Sequence, residues 1–133
     1  MREKLPEHEG VRVEFKECWT ETAKKTLIAF ANTLGGDLYF GVTDEGITKG
    51  LSKKEVDVIS RSVHQFCRAG TEPVITDIVS TEVIGTGNDK YMLRVSVEPG
   101  EDRPYALKGK RYTGGAYVRD GSMSVTATEE EIR

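Results

Sequence analysis

A basic and aromatic segment near the C-terminal end of the chain is the part best suited to binding phosphates. Lysine and arginine hold phosphates by charge, and tyrosine rings can stack on unpaired bases. No Asp or Glu interrupts this segment, whose cations and tyrosines are Arg103, Tyr105, Lys108, Lys110, Arg111, Tyr112, Tyr117 and Arg119. We predict that the five cations and Tyr112 contact nucleic acid. The alternative is an exposed hairpin with ordinary solvated lysines and core tyrosines.

The charge of the whole chain limits how such binding can occur. The 133 residues include 19 Lys and Arg against 22 Asp and Glu, a formal net charge of −3. A protein of this charge is not expected to hold nucleic acid over its whole surface, so the binding must come from a local patch. The length is that of one domain with a real hydrophobic core.

Other common site types find little support. Residues 41–48 have the glycine spacing of a phosphate-binding loop, but Ile47 stands where that loop needs lysine, so we predict no ATP binding here. His8 and His64 do not make a metal site, and Cys18 and Cys67 do not make a disulfide framework. We expect free thiols, a cytoplasmic location and no membrane association.

The first half of the chain predicts the elements that position these residues. Alternation of apolar and charged residues predicts a half-buried strand over 11–16. Thr20 can cap a helix that ends at Thr33, followed by a Gly35-Gly36 stop and a strand over 37–42. The apolar stripe of that helix is Ala23, Leu27, Phe30, Ala31 and Leu34.

The second half is predicted to hold one more helix and most of the strands. Ser52 and Glu55 form a capping box that opens a helix ending near Gly70. Strands are predicted over 74–84 and 91–97, with a last pair around 112–118 and a helix start at Thr128. The predicted fold class is α+β, with a mixed, mainly antiparallel sheet and two main helices packed on it.

Four motifs, taken in order, carry a family resemblance. They are Glu-Phe-Lys at 14–16, Ala-Phe-Ala-Asn-Thr-x-Gly-Gly at 29–36, Phe-Gly-Val-x-Asp at 40–44 and Tyr-Val-Arg-x-Gly-Ser at 117–122. From about Glu9 to Ile132, the chain resembles the Schlafen-type AlbA-like domain. This domain is the N-terminal module of many bacterial and archaeal transcriptional regulators and helicase-related proteins, and of the animal Schlafen proteins.

The resemblance implies a function and a domain context. Residues 1–133 are expected to be one such domain, the N-terminal part of a longer protein whose downstream domains are its partners. The implied function is DNA or RNA binding in a transcriptional regulator or helicase-related protein, with no cofactor. A structural or dimerising module of an ATPase-like regulator, working as a homodimer, is another alternative.

The animal Schlafen ribonucleases imply a further alternative, a metal-dependent endoribonuclease. Their catalytic centre has two glutamates five residues apart and an aspartate after the Gly-Val strand, which correspond here to Glu9, Glu14 and Asp44. Carboxylates suit Mg²⁺ or Mn²⁺, and Lys16 would contact the scissile phosphate. A bend at Gly10 would bring Glu9 round, with Glu14 on a polar face of its strand. Otherwise these are surface and turn acids, and we expect little or no cleavage by this domain alone.

Overall fold

The computed structural model describes residues 5–132; residues 1–4 and Arg133 lie outside this range. The centre of the fold is a four-stranded sheet. From one edge to the other, its strands are β1 (Val13–Lys16), β2 (Gly36–Phe40), β5 (Lys90–Val97) and β4 (Val79–Gly87). Strands β1 and β2 are parallel, whereas both pairs that involve β5 are antiparallel. This confirms the predicted α+β class with a mixed, mainly antiparallel sheet.

Two long helices begin where their capping residues predicted. Helix α1 (Glu21–Asn32) starts after Thr20, whose side chain accepts a hydrogen bond from the amide of Ala23. Helix α2 (Lys53–Ala69) starts after Ser52, and both hydrogen bonds of the Ser52–Glu55 capping box are present. These bonds satisfy amides that have no partner inside the helix, so each sequence signal marks a real start.

The main hydrophobic core lies between the two helices and one face of the sheet. Its largest fully buried members include Leu27 and Phe30 of α1, Val63 of α2, and Phe40 and Leu93 of the sheet. Leu34 does not belong to this stripe as predicted: it follows the end of α1 and is 56% exposed. The chain has already left the helix there, so the helical spacing no longer points this side chain inward.

The glycine pair after α1 is required by close approach of neighbouring backbone. Gly35 has φ of +74°, a conformation that favours glycine. A Cβ on Gly36 would lie 2.7 Å from the carbonyl oxygen of Arg12, so only glycine lets β2 start this close to the residues before β1. The result is a short connection that places β1 and β2 side by side.

The second half of the chain differs most from its prediction. A short pair joins β3 (Thr71–Glu72) to β6 (Ala106–Leu107), and a 3-10 turn (Thr76–Ile78) precedes β4. The last hairpin pairs β7 (Tyr117–Asp120) with β8 (Met123–Thr126) and turns at Gly121, so it lies further along the chain than the pair predicted around 112–118. Helix α3 (Glu129–Ile132) follows Thr128 as predicted. No helix within residues 5–132 is long and apolar enough to cross a membrane.

Candidate functional site

The basic segment forms an irregular loop between β6 and β7, and we call residues 108–115 the basic loop. The amide of Lys108 donates to the carbonyl of Gly70 at the end of α2. The Glu72 carboxylate accepts hydrogen bonds from the amides of Gly109 and Arg111, at 2.9 and 3.3 Å. The loop is therefore fixed to the end of α2 and to β3 by its backbone, and the side chains of Lys108, Lys110 and Tyr112 remain exposed.

The Arg111 side chain binds the basic loop to the residues that precede β6. Its Nε donates to the carbonyl of Pro104 at 2.9 Å, and its Nη2 donates to the backbone and side-chain oxygens of Asp102. The guanidinium also lies 5.6 Å from the centre of the Tyr112 ring. The Asp102 carboxylate, which lies just before the basic segment in sequence, therefore partly neutralises the charge of Arg111.

Four of the six predicted contact residues lie on the surface. Lys108 and Lys110 are exposed and make no ion pair with any residue of the 5–132 range. Tyr112 is 67% exposed, which is unusual for so large a ring. Arg103 is exposed too, although its guanidinium donates to the carbonyls of Gly100 and Asn32. These four side chains form the accessible part of the candidate interface.

Arg119 lies elsewhere, with a side chain that has no exposed surface. It donates to the carbonyls of Gly10 and Val13 and to the hydroxyl of Ser124. Its Nη2 is 2.9 Å from Oε1 of Glu14, and the guanidinium lies over the Phe30 ring. In this arrangement Arg119 joins β7 to β1 and offers nothing to a phosphate in solution.

Glu14 is buried, which corrects the expectation that it lies on a polar face of β1. It stands opposite Leu38 in register, so it points to the face on which the helices pack. The other face is covered as well, because Phe15 packs there in a small second core with Tyr39. The Glu14 side chain is only 8% exposed, and Lys16 lies 3.3 Å from its second oxygen.

Glu9 is brought beside Glu14 by a tight turn. Gly10 and Val13 exchange backbone hydrogen bonds there, and Oε2 of Glu9 accepts from the amide of Phe15 at 2.9 Å. Burial raises the pKa of the Glu9 carboxyl above its ordinary value, although the hydrogen bond from Phe15 lowers it. The nearby Glu14 and Asp44 carboxylates raise the pKa of Glu9 further.

These carboxylates are not arranged as a metal centre. Asp44 is exposed in the turn after β2, where it acts on Glu9 only through its charge. Both oxygens of Glu14 already face cations, Arg119 on one side and Lys16 on the other. Within residues 5–132, no group of three acidic, histidine or cysteine side chains could hold a metal ion. The donor set therefore does not fit Mg²⁺ or Mn²⁺.

Two residues that support the interface were missed by the sequence prediction. The Asn32 side-chain amide donates to the carbonyls of Tyr105 and Tyr117, and its oxygen accepts from the amide of Tyr105. The Thr33 hydroxyl accepts from the amide of Arg119. Both lie in the Asn-Thr-x-Gly-Gly motif, which was recognised for its glycines. The sequence signal that could have found them is the polar pair Asn32-Thr33 directly after the apolar residues 27–31 of the helix.

Comparison with known proteins agrees with the fold and its motifs. The family model described as Schlafen, AlbA_2 matches residues 9–128, which include both glutamates, the basic loop and the last hairpin. The chain matches no curated protein at a significant level. The match spans most of the chain and supports a nucleic-acid-related domain in general terms. The chain therefore belongs to the Schlafen AlbA_2 family.

Proposed function

We propose that this domain binds DNA or RNA through the basic loop, as part of a transcriptional regulator or helicase-related protein. The observation that carries the proposal is the exposure of Lys108, Lys110 and Tyr112 together on one loop. Family membership supports the same role. The binding needs no cofactor.

The physical basis is that some cations of the basic segment are exposed, whereas others are held in hydrogen bonds and ion pairs within the protein. Lys108 and Lys110 have exposed ammonium groups, which can neutralise phosphates and release their counterions. Arg103 adds a third charge at the edge of the loop, and Tyr112 offers a ring for stacking. Arg111 and Arg119 are already bonded to backbone carbonyls and carboxylates, so their contribution is to hold the interface in shape.

Charge reversal distinguishes binding at the basic loop from nonspecific electrostatic attraction of nucleic acid to the whole protein. The double variant Lys108→Glu, Lys110→Glu should weaken binding of labelled single-stranded and duplex oligonucleotides. Each lost phosphate contact should also reduce the slope of log K against log salt by about 0.7 to 0.9. The matched control is Lys49→Glu, Lys90→Glu, which changes the net charge equally.

The control lysines lie away from the basic loop. Lys90 is the first residue of β5, an eight-residue strand that is about 24 Å long. The opposite end of β5 leads toward Arg103. Lys49 is an exposed residue paired with Glu17. Equal weakening by both double variants would mean that only overall charge matters. Undetectable binding by the unmodified protein would refute the proposed function and favour the structural or dimerising alternative.

The endoribonuclease alternative is not part of this proposal, because the donors do not fit a divalent ion. What favours it is the approach of Glu9 to Glu14 with Lys16 beside them. Incubation of structured RNA with Mg²⁺ or Mn²⁺, against an EDTA control, tests it directly. We expect no cleavage; cleavage that is abolished by Glu14→Gln would establish the nuclease.

A further inference from the structure

A groove runs along one side of α2, and the residues of the 5–132 range that line it include none from the basic loop. Two adjoining concavities of about 420 and 320 Å³ share Trp19 and Ser62 as lining residues. Val58 and Ile59 line the first, and Phe66 lines the second. Volumes of this size suit small planar groups rather than another folded element.

Trp19 is placed to act as a stacking surface in this groove. Its ring meets Phe66 edge-on with centres 5.8 Å apart, and it is tilted against Phe40 at 6.0 Å. These contacts fix the indole from the core side, while the residue stays only partly buried. An indole held in this way can receive a ligand ring without first having to be ordered.

The charges around the groove favour an anionic occupant. Lys54 lines the first concavity and makes no ion pair within residues 5–132. Lys24 lines the second; its ammonium lies 5.8 Å from the centre of the Phe66 ring and pairs with the largely exposed Glu21. Within residues 5–132, the one acid that lines the groove is Glu55, which is engaged in the capping box of α2.

One end of the groove lies beside the point where the basic loop is attached to α2. Its second concavity ends at Gly70, whose carbonyl accepts the hydrogen bond from the amide of Lys108. A chain that leaves the groove at this end therefore reaches the basic loop at Lys108. Cations thus follow the whole path, with an aromatic ring near each end: Trp19 in the groove and Tyr112 on the loop.

We infer that the groove binds a single-stranded segment of nucleic acid, with one base on Trp19 and phosphates beside Lys24 and Lys54. The inference rests on the proposed function and names its substrate class. A base within a duplex is stacked on its neighbours, whereas an unpaired base can turn onto an aromatic side chain. Single strands should therefore be preferred over duplexes of the same length.

Trp19 fluorescence tests the inference, because Trp19 is the only tryptophan in the chain. The probe is an oligo(dT) strand of about 12 nucleotides, within the range that one such domain covers. Stacking should quench the emission, and the quenching should saturate at the same oligonucleotide concentration as the fluorescence anisotropy of the labelled strand. A paired duplex of equal length should quench less.

Cys18 provides an independent readout, because it is exposed and lines the groove. Bound oligo(dT) should slow its alkylation by a maleimide several-fold. Lys54→Glu should reduce the salt slope by about 0.7, the value of one lost single-strand contact. The control Lys53→Glu changes the neighbouring exposed lysine, which does not line the groove, and should leave the slope nearly unchanged.

The outcomes distinguish the two proposals. Quenching together with protection of Cys18 supports a single strand in the groove. Oligonucleotide binding by anisotropy with neither effect overturns the groove inference and leaves the basic loop as the binding site. Absence of binding by anisotropy overturns both the groove inference and the proposed function.

Discussion

Replacing Arg119 with alanine should lower the free energy of unfolding by about 3–5 kcal/mol. The guanidinium is fully buried and makes hydrogen bonds to Gly10, Val13, Glu14 and Ser124. Alanine would remove all of these donors at once. It would also leave the buried Glu14 carboxylate with Lys16 as its remaining cation.

The magnitude follows from what remains unpaired. Removing one member of a buried ion pair costs several kcal/mol, chiefly because the other charge stays buried without its partner. The carbonyls of Gly10 and Val13 also lose the guanidinium, but each still accepts a hydrogen bond from the backbone amide of the other residue, so they add little. The expected total therefore stays near that of a broken buried pair.

Urea unfolding measures this loss, with Arg103→Ala as the control. Arg103 is exposed and its guanidinium bonds to the carbonyls of Gly100 and Asn32, with no carboxylate partner within residues 5–132, so its loss should cost about 1 kcal/mol or less. Glu14→Gln and the double variant complete a cycle, in which the coupling between Arg119 and Glu14 should be about 0.5–3 kcal/mol. The slope of the unfolding free energy against urea should not change.

Two results would refute the structural role of Arg119. One is a loss of less than about 1 kcal/mol in Arg119→Ala. The other is an Arg119→Ala protein of normal stability that has lost oligonucleotide affinity as fully as the Lys108→Glu, Lys110→Glu variant. The second result would mean that Arg119 reaches the nucleic acid, as the sequence alone predicts.

Three further predictions concern the core, the thiols and pH. Phe30→Ala should cost about 3–5 kcal/mol in chemical unfolding, because Phe30 is fully buried between helix and sheet; a loss under about 1 kcal/mol would contradict this. Burial raises the pKa of the Cys67 thiol to about 12, so a thiol reagent should modify Cys18 in the folded protein and Cys67 only after unfolding. The raised pKa of Glu9 means that the folded protein binds a proton at this carboxyl more tightly than the unfolded chain does. Protonated Glu9 therefore stabilises the fold at pH values below the ordinary pKa of 4.5, and this stabilisation is lost as the pH rises through the raised pKa. Glu9→Gln should therefore be more stable than the unmodified protein at pH 7 but not at pH 4, and an equal difference at both values would exclude this cause.

The sequence by itself determined the features that depend on near neighbours in the chain. Thr20 and Ser52 cap their helices because the amides they satisfy lie only three residues ahead. The Gly35-Gly36 stop is local in the same way. The predicted α+β class, with two main helices packed on a mixed sheet, follows from such signals. The motifs around them also identified the family.

Only the tertiary structure decided which charges are free. Arg119 and Arg111 are indistinguishable from Lys110 in a basic segment, yet Arg119 is buried against Glu14, 105 residues earlier. Glu72 holds the backbone of the basic loop, 37 residues from Gly109. Burial and ion pairing depend on contacts between distant segments, which the order of residues does not show. For the same physical reason the sequence does not show that Glu14, although it lies beside Glu9, has both oxygens facing cations and none left for a metal.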